Sequence, residues 1–359
     1  MLLSIVGPSL LPTVDITTLP APTPGGRYPG TPFWVSPAGA QGKLSQTADG
    51  WFDYIGYYIQ ANGNSSYRVQ AVFHELTGMT AVTADDVFFG GVRLKAANAN
   101  MNTLVALSNN GSAYNAMQHL KLLQFSDFTW VANQEYYFEY AIDHPAGLVY
   151  RWLDGVALAP VALPTWWTSL VATGGKLWIT YGYPFYYQEY NNVRNEFFFK
   201  DIYVLKKDEQ HPNRLGPQRI IPLKVKAHDS TTWVSSDGSD PLAVLNTPIT
   251  TLASQSTPLV TTDSPETPDN LTFDTGAIDA AINGVVFVGS AQRLAGTDSA
   301  LGATLVEGDT VAPLSTATLG SAISPYLRFG IQARSPKGGA WTKELLGSVK
   351  LKLSAVPVA

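Results

Sequence analysis

Two acidic residues, Glu135 and Glu139, are the first candidates for chemistry because they lie four residues apart in the sequence EYYFE. On a strand, both side chains would point to the same face. Glycoside hydrolysis needs two carboxyl groups about 5–5.5 Å apart for retention, or about 6.5–9.5 Å apart for inversion. Four residues of regular strand separate the pair by about 13 Å. We therefore expect a solvated, hydrogen-bonded strand face here and no catalytic pair.

A second group of candidates is aromatic, in the sequences TWWTSL and ITYGYPFYYQEYNN, which we expect in loops or at strand ends. Exposed flat rings can stack on sugar faces while neighbouring Asn and Gln side chains bond the hydroxyl groups. Such rings also fill the interior of a fold and the interfaces between subunits. All three interpretations stay open for the predicted contact site, which consists of Trp166, Trp167, Tyr183, Tyr186 and Tyr187, with Phe185 and Tyr190 nearby.

Metal and cofactor sites are not indicated by the remaining polar residues. The chain has no cysteine, and its five histidines (His74, His119, His144, His211 and His228) have no paired spacing. A zinc site needs three or four converging ligands, so we expect surface or hydrogen-bonded histidines. The acidic sequences SSDGSDP (235–241) and ADD (84–86) could offer oxygen atoms to calcium, but an Asp–Gly turn is the simpler interpretation of the first. We predict no cofactor and no metal.

Composition excludes several classes of function. Of the 359 residues, 45% are hydrophobic and only 14% are charged, with a formal net charge of −5. The acidic balance and the absence of a basic patch argue against sequence-independent nucleic-acid binding. No apolar stretch approaches the length of a membrane span, and the sequence MLLSIVGPSLLP lacks the basic start of a secretory signal. The low charge suits a protein whose surfaces meet other subunits.

The elements that must position these residues are short strands. Runs such as WFDYIGYYIQ, FFGGVRLKA, LVYRWLDG and EFFFKDIYVL are rich in aromatic and β-branched residues, and Gly, Asn, Asp and Pro separate them. In YYFEYAID, Tyr136, Phe138, Tyr140 and Ile142 alternate on one face, which we predict to be a sandwich core. The Asp154–Gly155 pair predicts a tight hairpin. The fold class is therefore all-β, a β-sandwich or barrel.

The pattern predicts a division of the chain into four parts. Residues 1–30 form an extended Pro/Gly-rich arm, because their prolines prevent helix formation. Residues 31–206 form a β-sandwich domain, which the resemblance described below implies to be a jelly roll, and the polar residues 207–213 form a linker. Residues 214–359, which have fewer aromatic residues and more Thr and Ser, form a second β-sandwich domain.

A series of segments in fixed order resembles a bacteriophage virion structural protein of tailed phages. The series comprises FKDIYVL (199–205), LGPQRI (215–220), TTWVSSDGS (231–239), INGVVFVGSAQR (282–293) and GGAWTKELLGSVKLKL (338–353). In the first region, residues 149–155, 178–182 and 199–204 are similar to a concanavalin-like or laminin-G-like jelly roll. The resemblance implies a jelly roll followed by a smaller β domain, and it implies no catalytic residues.

From the resemblance we expect a non-enzymatic component of the particle exterior, assembled in the host cytoplasm. A tail fibre or tail-associated appendage is the leading interpretation. A capsid decoration protein and a lectin-like adhesin that binds host glycans are the alternatives. The expected partners are other virion proteins and further copies of the chain, with a host surface glycan as an additional one; no nucleic acid and no membrane span is expected.

Overall fold

We describe the protein from a computed structural model, in which antiparallel β-strands predominate. The prediction of an all-β fold is confirmed. The chain divides into two compact units between Ile220 and Ile221. The structure describes residues 1–6, 14–15, 33–34, 40–46, 52–61, 65–77, 79–96, 103–109, 118–183, 197–229, 233–235, 237–246, 259–261, 269–291, 299–319 and 324–357.

The described residues of the first unit form fourteen strands in one hydrogen-bonded system, with the order β12-β11-β10-β7-β14-β5-β6-β13-β8-β9 along its main path. Off this path, β1 pairs with β14, β2 with β4, β3 with β6, and β4 with β5. The strands are β1 (Leu2–Val6), β2 (Val14–Asp15), β3 (Phe33–Trp34), β4 (Ala40–Gln46), β5 (Phe52–Ala61), β6 (Ser65–Glu75), β7 (Val87–Ala96), β8 (Thr103–Asn109), β9 (His119–Gln124), β10 (Tyr136–Asp143), β11 (Leu148–Leu153), β12 (Val156–Ala162), β13 (Leu177–Tyr183) and β14 (Phe197–Lys206). A 3₁₀ turn (Phe125–Asp127) and helix α1 (Thr165–Thr173) complete the unit.

In the parts of the second unit that the structure describes, there are a five-stranded antiparallel sheet with the order β15-β18-β23-β20-β21 and two separate strand pairs, β16-β17 and β19-β22. Its strands are β15 (Val225–His228), β16 (Trp233–Ser235), β17 (Leu259–Thr261), β18 (Asp269–Phe273), β19 (Val285–Ala291), β20 (Ser299–Glu307), β21 (Thr310–Leu319), β22 (Ser324–Gln332) and β23 (Lys350–Pro357). Its helices are α2 (Pro241–Leu245) and α3 (Lys343–Ser348). The buried core of this unit includes Phe273, Phe287, Phe329, Trp341 and Leu346.

The predicted hairpin at Asp154–Gly155 is present between β11 and β12. Both turn residues have positive φ angles, 49° for Asp154 and 81° for Gly155. A two-residue turn of this kind matches the twist of the flanking strands, and it favours Asp followed by Gly. The side chain of Asp154 also accepts a hydrogen bond from the backbone N–H of Tyr137 at 2.7 Å, which fixes the turn to β10.

The first unit is a sandwich because β10 faces β13 across the core, although the two strands are far apart in the sheet order. The hydroxyl groups of Tyr140 and Tyr181 lie 3.1 Å apart, and both side chains are fully buried. Phe138 and Ile142 point to the same interior as Tyr140, as the alternation in the sequence predicts. The Tyr140 ring lies directly against Gly90 of β7, where any side chain would collide with it.

Each unit ends its largest described sheet with a strand that carries no charged residue and one internal proline. In β12, Ala159 and Pro160 together face the single residue Tyr150 of β11, so the edge strand bulges. The Nε atom of Arg151 donates to the carbonyl of Ala159 at 2.8 Å and supports the bulge. In β21, Pro313 lies beside a similar shift in register against β20.

The structure differs from the expected division of the chain at two places. Residues 2–6, expected within the extended arm, form β1. The backbone of this apolar sequence, LLSIV, pairs antiparallel with residues 202–205 of β14. The rest of the predicted arm lies almost entirely outside the described residues. Residues 214–220, expected in the second domain, belong to the first unit together with the predicted linker, because backbone and side-chain hydrogen bonds hold them there.

Candidate functional site

The outer face of β10, opposite the core, carries the polar residues that are best suited to chemistry. Glu139 faces Gly91 of β7, which in turn faces Tyr203 of β14. Gly91 is required here, because a Cβ atom would collide with the ring of Tyr203 and the hydroxyl group of Tyr137. The Tyr203 hydroxyl can therefore reach across β7 and donate a hydrogen bond to Glu139 Oε1 at 2.9 Å.

A second buried carboxylate, Asp201, lies at a bulge in β14. Its φ angle is 53°, a left-handed conformation that Asp tolerates better than most residues. Asp201 Oδ2 accepts a hydrogen bond from Arg93 Nε at 3.1 Å, and the carboxylate is 2% exposed. The bulge adds one residue between Lys200 and Tyr203, which places the Asp201 side chain among the polar residues of this face.

Residues 207–220, which we call the strap, have no helix or strand and cover this face. Arg214 forms an ion pair with Glu139, and its guanidinium lies 4.7 Å from the centre of the Trp152 ring. The backbone N–H of Leu215 donates to the Tyr203 hydroxyl at 3.2 Å. Each of these contacts uses a group that would otherwise be available to a ligand on the outer face of β10.

Two further contacts hold the end of the strap. The backbone N–H of Ile220 donates to Asp201 Oδ1 at 3.1 Å. Arg93 Nη2 donates to the carbonyl of Gln218 at 3.3 Å, while Arg93 Nε bonds to Asp201. Arg93 therefore connects the sheet, the buried carboxylate and the strap.

Burial and the nearby Glu139 charge raise the pKa of the Tyr203 phenol far above its ordinary range. Burial also raises the pKa of Tyr137. Both phenols therefore stay protonated at physiological pH, and Tyr203 acts as a hydrogen-bond donor to the carboxylate. A carboxylate with an arginine and a phenol as partners is a stable structural group, because both of its oxygen atoms are satisfied.

The two candidate carboxylates of the sequence do not meet as a pair in one cleft. Glu139 is 1% exposed beneath the strap, whereas the prediction for this face was a solvated one. The prediction failed because the strap, distant in sequence, covers it. Glu135 precedes β10, is about half exposed, and lies 3.8 Å from Arg93 and from Lys200.

The predicted aromatic contact site is only partly within the described residues. Trp166 and Trp167 lie in helix α1, where the sequence indicated loops or strand ends. Trp167 is fully buried and packs within the fold, whereas Trp166 is partly exposed and meets the Trp167 ring edge-on at 5.7 Å. Tyr183 ends β13. Tyr186 and Tyr187, with Phe185 and Tyr190, lie outside the described residues.

Trp167 is fixed by a histidine that sequence reasoning did not connect with it. The Trp167 indole N–H donates to His144 Nε2 at 2.9 Å, and His144 Nδ1 lies 2.8 Å from the carbonyl of Asp86. The two rings are nearly parallel, with centroids 6.3 Å apart. Burial lowers the pKa of His144 below its ordinary value, although hydrogen bonding to Asp86 opposes the shift.

The acidic loops considered for calcium serve local hydrogen bonds. Asp237 accepts from the Ser235 hydroxyl and the Ser239 N–H, and Asp240 caps α2 by accepting from Leu242 N–H. Asp86 accepts from Thr83 N–H and forms an ion pair with Lys206 at 2.7 Å. Within the described ranges, no three His, Asp or Glu side chains converge as a metal site would require.

No protein-family model and no curated protein matches the sequence. Three solved structures illustrate the similarities that are found. A sialidase is 8% identical over 50% of this chain, with a TM-score of 0.29, and this chain covers 17% of the sialidase's length. Alginate lyase AlgAT5 of polysaccharide lyase family 7 is 10% identical over 45% of this chain and 80% of its own, with a TM-score of 0.27. Lectin II from Ulex europaeus is 7% identical over 49% of this chain and 96% of its own, with a TM-score of 0.29. Values this low identify neither a family nor an activity.

The described part of the chain contains no helix of the length and apolarity that a membrane crossing requires.

Proposed function

We propose that the protein is a non-enzymatic structural component of a bacteriophage virion. The covering of the outer face of β10 by the strap supports the non-enzymatic part of this proposal. Glu139, Asp201, Arg93 and Tyr203, which could do chemistry on an open sheet face, bond to one another or to residues 207–220 of the same chain. These residues stabilise the fold and are covered by it.

The virion role rests on the ordered sequence resemblance and agrees with an all-β chain of low charge. Within this role we assign the protein to a tail fibre or tail-associated appendage on the particle exterior, assembled in the host cytoplasm. A decoration protein on the outside of the capsid is the alternative position. The partners are further copies of the chain, in a symmetric homo-oligomer, and other virion proteins.

Labelling of intact particles tests the proposal directly. Gold-conjugated antibodies against this chain should decorate purified phage particles, and the label should lie on the tail. Label confined to the head would support the capsid alternative. Absence of the chain from purified particles, by both labelling and mass spectrometry, would refute the virion role.

An assay of polysaccharide cleavage tests the non-enzymatic part separately. We expect no release of reducing sugar or unsaturated product from host polysaccharide by the full chain. Glu135→Gln provides the matched control, because Glu135 is the accessible carboxylate of the candidate pair. Turnover by the wild type that Glu135→Gln abolishes would overturn this part while leaving the location on the particle intact.

A lectin-like function is the second candidate, favoured by the exposed side of Trp166. The ring is partly exposed at the start of α1, and the hydroxyl-bearing residues Thr165, Thr168 and Ser169 around it are exposed. An aromatic ring beside hydroxyl groups suits the apolar and polar faces of a sugar.

Binding of the full chain to a host-glycan array and to host lipopolysaccharide tests the lectin-like function. Trp166→Ala should abolish binding, whereas Trp130→Ala should not. Trp130 is a suitable control because it is also partly exposed and packs edge-on against another ring, Phe125, at 5.1 Å. Equal binding by wild type and Trp166→Ala would remove Trp166 from any glycan site.

A further inference from the structure

Helix α1 has one fully buried side chain, that of Trp167, whereas Trp166, Leu170 and Val171 are partly buried. Among its nine residues only Trp167 is buried, and the preceding Pro164 provides no side-chain cap for the first turn. A helix of nine residues is marginal in water without tertiary contacts. The position of α1 therefore depends on how firmly the Trp167 ring is held.

The hydrogen bonds of His144 define which of its nitrogen atoms carries the proton. The Asp86 carbonyl can only accept, so His144 Nδ1 must donate to it. The Trp167 indole can only donate, so His144 Nε2 must accept from it. Both bonds exist together only while the imidazole is neutral, because a protonated imidazole is a donor at both nitrogen atoms.

The charges around His144 do not replace the lost bond when the ring gains a proton. The charged groups that act on it are Asp86 before β7 and Asp143 at the end of β10, and Lys206 at the end of β14 pairs with Asp86. The Asp86 carboxylate already pairs with Lys206 and accepts from Thr83 N–H. Helix α1 contains no charged residue, and the remaining ring against His144 is Phe88, edge-on at 6.0 Å.

We propose that His144 is an acid-sensitive latch that releases helix α1. Protonation of Nε2 places two N–H donors against each other, the Trp167 indole leaves its site, and α1 separates from the sandwich while β10 and β11 stay in place. This latch would change the exposure of both tryptophans and would operate whether or not the protein binds a glycan or belongs to a virion.

Hydrogen exchange of the full chain followed by mass spectrometry tests the latch. Between about pH 7.5 and about pH 5, exchange in residues 165–173 should become at least tenfold faster after correction for the intrinsic pH dependence. Residues 148–153 of β11 are the internal reference and should keep their protection. Unchanged protection of 165–173 at the lower pH, or equal loss of protection in β11, would overturn the proposal.

A variant and a spectroscopic signal identify the residue responsible. In His144→Gln, which cannot titrate, the pH dependence of exchange in 165–173 should disappear, whereas His211→Gln should behave as wild type. If His144→Gln fails to fold, NMR of the indole N–H resonance of Trp167 in the wild type tests the latch instead. It should shift in parallel with titration of the His144 ring, and an indole resonance that stays constant while His144 titrates would contradict the latch.

Discussion

Two segments, the strap and helix α1, lie against the first unit without joining its sheets, and they are held in opposite ways. The strap has no regular structure, yet it contacts two buried carboxylates, a buried phenol and an arginine from three adjacent strands. Helix α1 is regular, yet it has one buried side chain and one hydrogen bond to a histidine. We expect the number of buried polar partners that depend on a segment, and not its regular secondary structure, to determine how firmly that segment is held.

The largest effect should come from the ion pair beneath the strap. Arg214→Ala should lower the free energy of unfolding by about 3 kcal/mol, because it leaves the Glu139 carboxylate buried without its cationic partner. Urea denaturation of the full chain measures this loss. Adding Glu139→Gln to the variant should restore part of the stability, since a neutral amide costs less to bury than an unpaired charge. A loss below about 1 kcal/mol would mean that the ion pair of Arg214 and Glu139 contributes no more to stability than an exposed ion pair does.

A smaller loss is expected at the anchor of α1. Trp167→Phe keeps most of the buried ring but removes the N–H, so His144 Nε2 loses its donor. An unsatisfied buried acceptor of this kind costs about 1–3 kcal/mol, and the local nature of α1 should keep the loss near the lower end. Equilibrium unfolding followed by tryptophan fluorescence, with Trp130→Phe as the control, measures it. A loss as large as that of Arg214→Ala would break the contrast between the two segments.

The contrast should also depend on pH, because α1 is held through the imidazole of His144, whereas the strap contacts compared with it go to carboxylates, a phenol and an arginine. The pKa of His144 is lowered in the folded protein, so the unfolded chain binds the proton more readily. Its contribution to stability is therefore complete above about pH 6.5 and is lost as the pH falls through the lower folded pKa. Unfolding experiments at several pH values should show this slope in the wild type and not in His144→Gln. The same slope in both proteins would assign it to other groups.

The smallest effect should come from Trp166→Ala. The ring is partly exposed and its described ring contact is the edge of Trp167, so the loss of stability should stay within about 1 kcal/mol. Thermal unfolding of the variant beside Trp166→Phe measures the packing contribution. A loss of several kcal/mol would show that Trp166 also anchors the helix, and α1 would then be held by two rings.

The elements formed by local pattern could be predicted from the sequence. The alternation of Phe138, Tyr140 and Ile142 and the Asp154–Gly155 turn fixed the β10–β11–β12 arrangement, because both depend on residues close in the chain. Helix α1 could not be predicted with confidence from TWWTSL, since β-branched and aromatic residues favour strands as readily as a helix. Its formation depends on the tertiary site for Trp167.

The burial of the outer face of β10 could not be predicted for a different reason. The alternation predicts a solvated Glu139 because it places this residue opposite a hydrophobic core face, and it carries no information about a second covering layer. That layer comes from Arg214, 75 residues away in the chain. Likewise, His144 and Trp167 are 23 residues apart and no spacing rule connects them. The sequence offers one weak signal for this covering layer, which is that the cationic Arg214 lies in a segment without strand pattern shortly after β14.

The bulged, proline-bearing strands β12 and β21 have a consequence for contacts between copies of the chain. A flat uncharged strand at a sheet border can recruit the border of another molecule and grow without limit, as in fibrils. In both units the proline removes one backbone donor and the bulge distorts the spacing of the rest, so two copies cannot zip together along these borders. Neither of these two borders therefore offers a regular ladder to a second copy of the chain, and contact at β12 or β21 must use side chains.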